Sequence, residues 1–442
     1  MIYPKDYALV NLTLLTGVTS FDMKTLLVEL SYHEDIFNNT ASGYLTVTDS
    51  MGYIETLSLT GNEFIRMTFG KTSNDGNWVD KLFRVYKVDK RKLESNMNTE
   101  TYSLYFCSEE VLLSEQYKLS KAYPAQSISE NITDILKNVL KVPDKKIAVI
   151  EPTYGVYDFV VPTIKPFDAI NWMSVYARPT ADKPGSDMLF YEDKFGFNFR
   201  SIQSLLLNPL YKTYSYDPKN LASQDINKKL NNVTTYEILD SYDALRGINS
   251  GIFANELISV NPLTRKKTVT KFNYFDYISK SKKLNEYPIS NNFQNRFGDN
   301  IGDTSQAVLK LVFSNFNQNS DAYIASQPAG GSSRDIFAET YIPYRTAQLS
   351  LANYTRMKIS LPGDPGLTVG QTICFNLLSR TPNVKELDKY YSGNYLITAV
   401  RHLINFSEYK TVLEITKEST TTPYASADNN SALWKNTVKG II

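Results

Sequence analysis

The chain has 442 residues, with 47 Lys plus Arg against 46 Asp plus Glu, so it has length for several cores and no global attraction for nucleic acid or anionic lipid. Hydrophobic residues at 42% and charged residues at 21% belong to a folded chain. No apolar run approaches the ~18 residues of a membrane span, and MIYPKDYALV lacks the basic and apolar regions of a secretory signal.

Residues 1–115 read as antiparallel β structure. LLVELSYHE, ASGYLTVTDS, NEFIRMTFG, KLFRVYKVDK and ETYSLYFCSEE alternate apolar and polar residues, and Asn38-Asn39, Gly61-Asn62 and Asn74-Asp75-Gly76 mark turns between them. This spacing predicts a small barrel or sandwich. Over 116–205 the pattern changes to α+β. Ser127 and Glu130 form a capping box ahead of the stripe Ile128, Ile132, Ile135, Leu136 and Val139. A second helix opens at Pro166 and buries Phe167, Ile170, Met173 and Ala177, and MLFYEDKFGFNFRSI is a hairpin turning between Lys194 and Gly196. Two strands flank Asn261-Pro262, 281–305 is rich in turn formers, and a helix is expected from Ala338 to Asn353. β structure then returns in RMKISLP, LTVGQTICFNLL, NYLITAVRHLI and YKTVLEITK. From Thr421 the chain is a polar, extended tail in which Trp434, Ile441 and Ile442 stand out as isolated apolar anchors for assembly.

The two β regions share an order: strand, polar loop, strand, tight polar turn, strand. Similarity at single residues is weak, but the order predicts two related barrels. The division that follows is a first barrel at 1–115, an α+β domain at 116–205, and a second barrel at 206–245 and 338–420. An inserted domain at 246–337 and a tail at 421–442 complete it. The fold class is therefore a β-rich α+β multidomain protein.

Residue supply argues against catalysis. The only histidines are His33 and His402, both in strand patterns, so a Ser-His-Asp or Cys-His site would have to use one of them, and no zinc-type spacing exists. Gly70-Lys71-Thr72 resembles the end of a P-loop, yet Ile65 stands where that loop needs glycine. LPGDPGLTVG joins two strands, with Gly366 or Gly370 supplying positive φ. Glu34-Asp35 and Glu109-Glu110 are carboxylate pairs, but the 31 Tyr residues are spread along the chain and do not gather around either pair as a glycosidase cleft requires. Cys107 and Cys374 read as buried free thiols rather than a disulfide. No catalytic, cofactor or metal residue is assigned. The basic run Lys81, Arg84, Lys87, Lys90, Arg91 and Lys92 is either a solvated strand face or a surface turned to a channel or nucleic acid.

FDMKTLLVELSYHEDIFNNTASGYLTVTDSMGYIETLSLTGNEFIRMTF resembles the opening barrel of the baseplate hub proteins of contractile-tailed bacteriophages. DKLFRVYKVDKRKLESNMNTETYSLYFCSEE is similar to the closing strands of that domain. DAINWMSVYA with FYEDKFGFNFRSI resembles the family's mixed domain, and PGLTVGQTICF with NYLITAVRHLINFSEYKTVLEITK its second barrel. Type VI secretion spike proteins have a hub of the same architecture. The resemblance implies a structural homotrimer, a pseudo-sixfold ring that joins the hexameric tail tube to a trimeric spike and lines the genome exit channel. Its partners would be a separate spike protein, since no needle domain follows before Ile442, with tail tube and baseplate wedge proteins. Contact with phage DNA would be transient and membrane insertion absent. The place implied is the virion baseplate, after assembly in the host cytoplasm. The alternatives are a tail-tip carbohydrate-active enzyme or the hub of a related contractile injection system.

Overall fold

The computed structural model describes residues 7–424 except 18, 58, 72–76, 95–98, 180–185, 219–224, 261–264, 295–297, 305–306, 314–337, 353 and 380–385. Period-two alternation shapes the first seven strands: β1 (Tyr7–Leu15), β2 (Ser20–Asp22), β3 (Leu27–Asp35), β4 (Ser42–Asp49), β5 (Phe64–Lys71), β6 (Trp78–Glu94) and β7 (Thr99–Cys107). They pair in the order β3-β4-β7-β6-β5-β1-β2. Leu45, Val47, Ile65, Phe83, Val85, Leu104 and Phe106 line one core, while Tyr44, Thr46 and Thr48 between them lie at the surface side. Gly43 is required here because a Cβ would stand 2.1 Å from the Ser31 carbonyl oxygen and 2.6 Å from the Phe106 ring.

The middle of the chain contributes β8 (Ala122–Gln126), β9 (Ile147–Ile150), β10 (Tyr157–Val160), β11 (Met188–Glu192) and β12 (Phe197–Ser201). The capping box forms as its sequence requires: Ser127 Oγ accepts from the Glu130 amide at 3.3 Å, and Glu130 accepts from the Ser127 amide at 2.9 Å. The helix Ile128–Asp134 runs on into a π turn, Ile135–Val139, and packs with helix Pro166–Ser174 over Met188, Phe190, Phe197 and Phe199. β11 is buried on both faces. Met188 and Phe190 join this core, whereas Leu189 and Tyr191 join the core of the C-terminal strands, which explains the unbroken apolar run MLFY. The β11–β12 turn places Asp193 Oδ1 on the amides of Phe195 and Gly196 at 2.8 and 2.9 Å.

After β13 (Leu210–Tyr216) and β14 (Thr235–Asp240) comes a separate sheet, β16-β15-β18, built from β15 (Ala254–Val260), β16 (Lys267–Asn273) and, beyond the short β17 (Tyr287–Pro288), β18 (Ala307–Phe313). The helix expected near 338–353 runs Ala338–Leu351; its Ala347 and Leu351 pack on Phe253, Phe272 and Tyr274 of this inserted region.

The last strands are β19 (Thr355–Pro362), β20 (Thr372–Leu377), β21 (Gly393–Asn405), β22 (Tyr409–Lys417) and β23 (Ser419–Thr420). Gly370 supplies the left-handed turn before β20, at φ 78°. Their sheet has the order β14-β19-β22-β21-β20-β13, strand for strand the order of β3-β4-β7-β6-β5-β1. One difference is polarity: β13 lies parallel to β20, whereas β1 lies antiparallel to β5. Closed barrels were expected, and among the described strands neither sheet closes. The outer edge of β3 is taken by Ala399–Asn405 of β21, so the two sheets fuse into one of 13 strands. β23 pairs with β17 just before the expected tail, and Tyr424, inside that tail, stacks on Tyr390 with ring centroids 4.7 Å apart.

Candidate assembly edges and the junction that positions them

Buried carboxylates hold the two sheets and the β11–β12 hairpin together. Glu34 on β3 is 1% exposed and accepts from Tyr32 Oη at 2.7 Å, Val369 N at 3.1 Å and Thr368 Oγ1. Burial, reinforced by the Asp193 carboxylate, pushes its carboxyl up to about 7 despite those donors. Asp364, in the turn between β19 and β20, lies 2.9 Å from Lys212 Nζ and 4.0 Å from Lys71 Nζ, and it accepts from Tyr211 and Tyr214. Burial opposes its ionisation, but the two lysines hold its carboxyl below the ordinary range. Glu192 at the end of β11 accepts from Lys81 Nζ and the Ala41 amide, both at 3.1 Å, and from Ser108 Oγ. Each carboxylate is sealed and surrounded by donors, so the cluster fixes geometry and presents no acid or base to a substrate.

The histidines belong to the same packing. His402 stacks on Tyr32 at 5.9 Å, with Nδ1 2.7 Å from Tyr409 Oη; burial, with Lys194 nearby, pushes its pKa down to about 3. His33 sits 2.9 Å from Ser31 Oγ, and burial with Arg401 pushes it down to about 4. Both are neutral at physiological pH.

The repeated strand order extends to register. β5 pairing ends and β7 pairing begins at Arg84 of β6; β20 pairing ends and β22 pairing begins at Leu396 of β21. Immediately afterwards both strands bulge, between Val85 and Lys87 and between Ile397 and Ala399. Glu63 and Gln371, the residues before β5 and β20 start, each accept from the amide three residues earlier, Thr60 N at 3.1 Å and Thr368 N at 3.2 Å. Two unrelated meanders have no reason to share a bulge and a side-chain turn at matching positions.

The basic run does not form one surface. Lys81 is turned inward, its side chain 9% exposed, and donates also to the Asp193 carbonyl at 2.7 Å. The channel-facing expectation therefore fails for Lys81 on geometry. Its alternation with Phe83 and Val85, both buried, was the available signal. Arg84 is half-buried against Phe64, Gly61 O and Glu109. Lys87 pairs with Asp89 at 2.6 Å, and Arg91 pairs with Glu100 and Glu55 at 2.7 and 3.1 Å. Lys90 and Lys92 are exposed, with no ion pair among the described residues. Trp434, Ile441 and Ile442 lie outside the described residues. Glu109 and Glu110 open the helix Glu109–Gln116 rather than ending a strand, and both cysteines are free thiols, Cys107 buried and Cys374 half-buried. Sequence reasoning did not find Glu192 and Asp364. Glu192 ends a strand that is otherwise apolar, which is a weak signal of a paired buried charge.

Among the described residues no helix is long and apolar enough to cross a membrane, and no group of three or more His, Cys, Asp or Glu is placed to hold a metal. No family model matches the chain. The chain is 24% identical over 402 residues, 88% of its length and 89% of the relative's, to a protein of Vibrio phage KVP40 named "Probable baseplate hub protein gp334". The chain is thus similar to a phage baseplate hub protein over most of its length. Its fold is shared with solved tail proteins. One is from Neisseria meningitidis MC58, with TM-score 0.52 and 10% identity over 93% of this chain and 97% of the other. Another is the 43 kDa tail protein of prophage MuSo2 from Shewanella oneidensis, with TM-score 0.52 and 8% identity over 92% and 98%.

Proposed function

We propose that the chain assembles as a homotrimer whose six similar sheets make one pseudo-sixfold ring at the centre of the baseplate. The observation that supports this most is the register-level repeat. Each chain carries two successive versions of one sheet, so three chains supply six around a single axis. One face of such a ring matches a hexameric tail tube and the other a trimeric spike on a separate chain, with wedge proteins outside it. The lumen would pass DNA with transient contact only, in keeping with a basic stretch mostly neutralised by its own acids. In this reading 1–115 and 206–245 with 338–420 are the ring modules, 116–205 and 246–337 are the packing and inserted domains, and 421–442 carries Trp434, Ile441 and Ile442 to a neighbour. The test is the native mass of the full chain, free and in purified tails. A trimer is expected; a monomer or dimer in both would overturn the reading.

A further inference from the structure

Three buried acceptors without a donor line one cavity, where the segment before β11, the helix Ala338–Leu351 and the end of β22 meet. They are Asp187 Oδ1, Gln348 Oε1 and Glu418 Oε2, and none has a hydrogen-bond partner among the described residues. The three residues are 0%, 5% and 8% exposed. Their other polar atoms are fixed. Asp187 Oδ2 accepts from the Gln203 amide at 2.9 Å, Glu418 Oε1 accepts from the Leu284 amide at 2.6 Å, and Gln348 Nε2 donates to Tyr277 Oη at 2.8 Å.

The nearest cations are turned elsewhere. Arg345 donates to the Ser186 carbonyl, and Lys417 donates to the carbonyls of Tyr390 and Ser392. Burial accordingly pushes the Asp187 carboxyl up to about 6 and raises that of Glu418 as well. Water can complete the hydrogen bonds of two such carboxylates but brings no charge to balance theirs.

The cavity holds about 30 Å³, room for about two water-sized groups, among Ile202, Leu206, Ile278 and Leu396. It adjoins a cleft of about 610 Å³, and Gln203, Tyr277, Ser281 and Lys282 line both. Leu207, Phe272 and Tyr344 give the cleft apolar surface. Lys271, Lys280 and Lys282 are exposed along it beside a single acid, Asp276, and none of the three is in an ion pair with a described residue.

We propose that cavity and cleft form one binding site for a small zwitterion, whose primary ammonium enters the cavity and whose anionic end lies among the lysines. An ammonium carries three N–H donors, one for each unpartnered oxygen. A divalent metal ion fits less well, because it takes about six oxygens and the cavity offers two carboxylates and one amide. The aliphatic stem of the ligand covers the apolar wall between the two ends. A diamine would meet the lysines with like charge, and a simple carboxylic acid would leave the buried oxygens unpaired. The site stands apart from the trimer and does not depend on it.

Calorimetric titration of the full chain with γ-aminobutyrate, ε-aminocaproate, hexanoate and hexamethylenediamine is the test. The better of the two amino acids should bind saturably and more tightly than the diamine, and hexanoate should not bind. Glu418→Gln can keep the Leu284 contact and should weaken that amino acid about tenfold. Lys282→Glu, on an exposed residue, should weaken it about threefold and reverse the preference in favour of the diamine. The proposal is overturned if neither amino acid binds saturably, if hexanoate or the diamine binds as tightly, or if Glu418→Gln leaves the affinity unchanged. Where Glu418→Gln does not fold, the reversal by Lys282→Glu decides, and its absence overturns the site.

Discussion

Lys81→Met removes the cation from a buried pair that ties β6 to the β11–β12 hairpin. The two side chains are 9% and 2% exposed, so the pair is not screened by solvent. Loss of one partner of such a pair costs about 3–5 kcal/mol because the other charge stays buried. Glu192 keeps the Ala41 amide and Ser108 Oγ as donors, which places the cost near about 3 kcal/mol, the lower end of that range. If the whole chain unfolds as one unit, that is a fall of roughly 3 °C in Tm. Adding Glu192→Gln neutralises the stranded charge and should recover at least about 1 kcal/mol. Lys87→Met, which removes an exposed pair, should leave stability unchanged within experimental error. Urea unfolding followed by tyrosine fluorescence and by calorimetry measures all four proteins. If Lys81→Met matched Lys87→Met, Lys81 would be a surface residue after all, and the dry junction between β6 and the hairpin would not exist.

Stability should depend on pH through Glu34. Its folded pKa of about 7 lies above the ordinary 4.5, so its contribution is complete below about 4.5 and is lost as pH rises through about 7. Glu34→Gln should remove roughly 3 kcal/mol of that loss, and equal pH slopes from 5 to 8 in the two proteins would contradict it. Gly43→Ala should destabilise the first sheet by about 2–3 kcal/mol, because the Ser31 carbonyl at 2.1 Å is backbone and cannot give way; a neutral result in urea unfolding would show that β3 and β4 separate easily. The free chain should bind duplex DNA more weakly than about 10⁻⁴ M at physiological salt, since Lys81 is buried and Arg84, Lys87 and Arg91 are paired. Tight, salt-sensitive binding by fluorescence anisotropy would restore the nucleic-acid-facing reading. Removing residues 425–442 should leave the monomer's Tm unchanged and weaken assembly, and unchanged assembly by light scattering would make Trp434, Ile441 and Ile442 passengers.

Local chemistry was legible in the sequence wherever the interaction closes within a few residues. Ser127 and Glu130 satisfy each other's amides, Pro166 starts its helix, Asp193 and Gly196 make their turn, and alternation in SGYLTVTDS sorts inward from outward positions. The order of the strands along both β regions was legible for the same reason. Tertiary structure alone decided which strand lies beside which. Alternation assigns a side chain to a face but says nothing about the neighbour across the ladder, so the pairing of Ala399–Asn405 with Glu29–Asp35 could not be read from either segment. That pairing is why the sheets fuse instead of closing into separate barrels. Buried charge was hidden likewise: Lys81 and Glu192 each look like a solvated polar residue alone, and only the approach of β6 to the hairpin turns them into a pair that must stay dry.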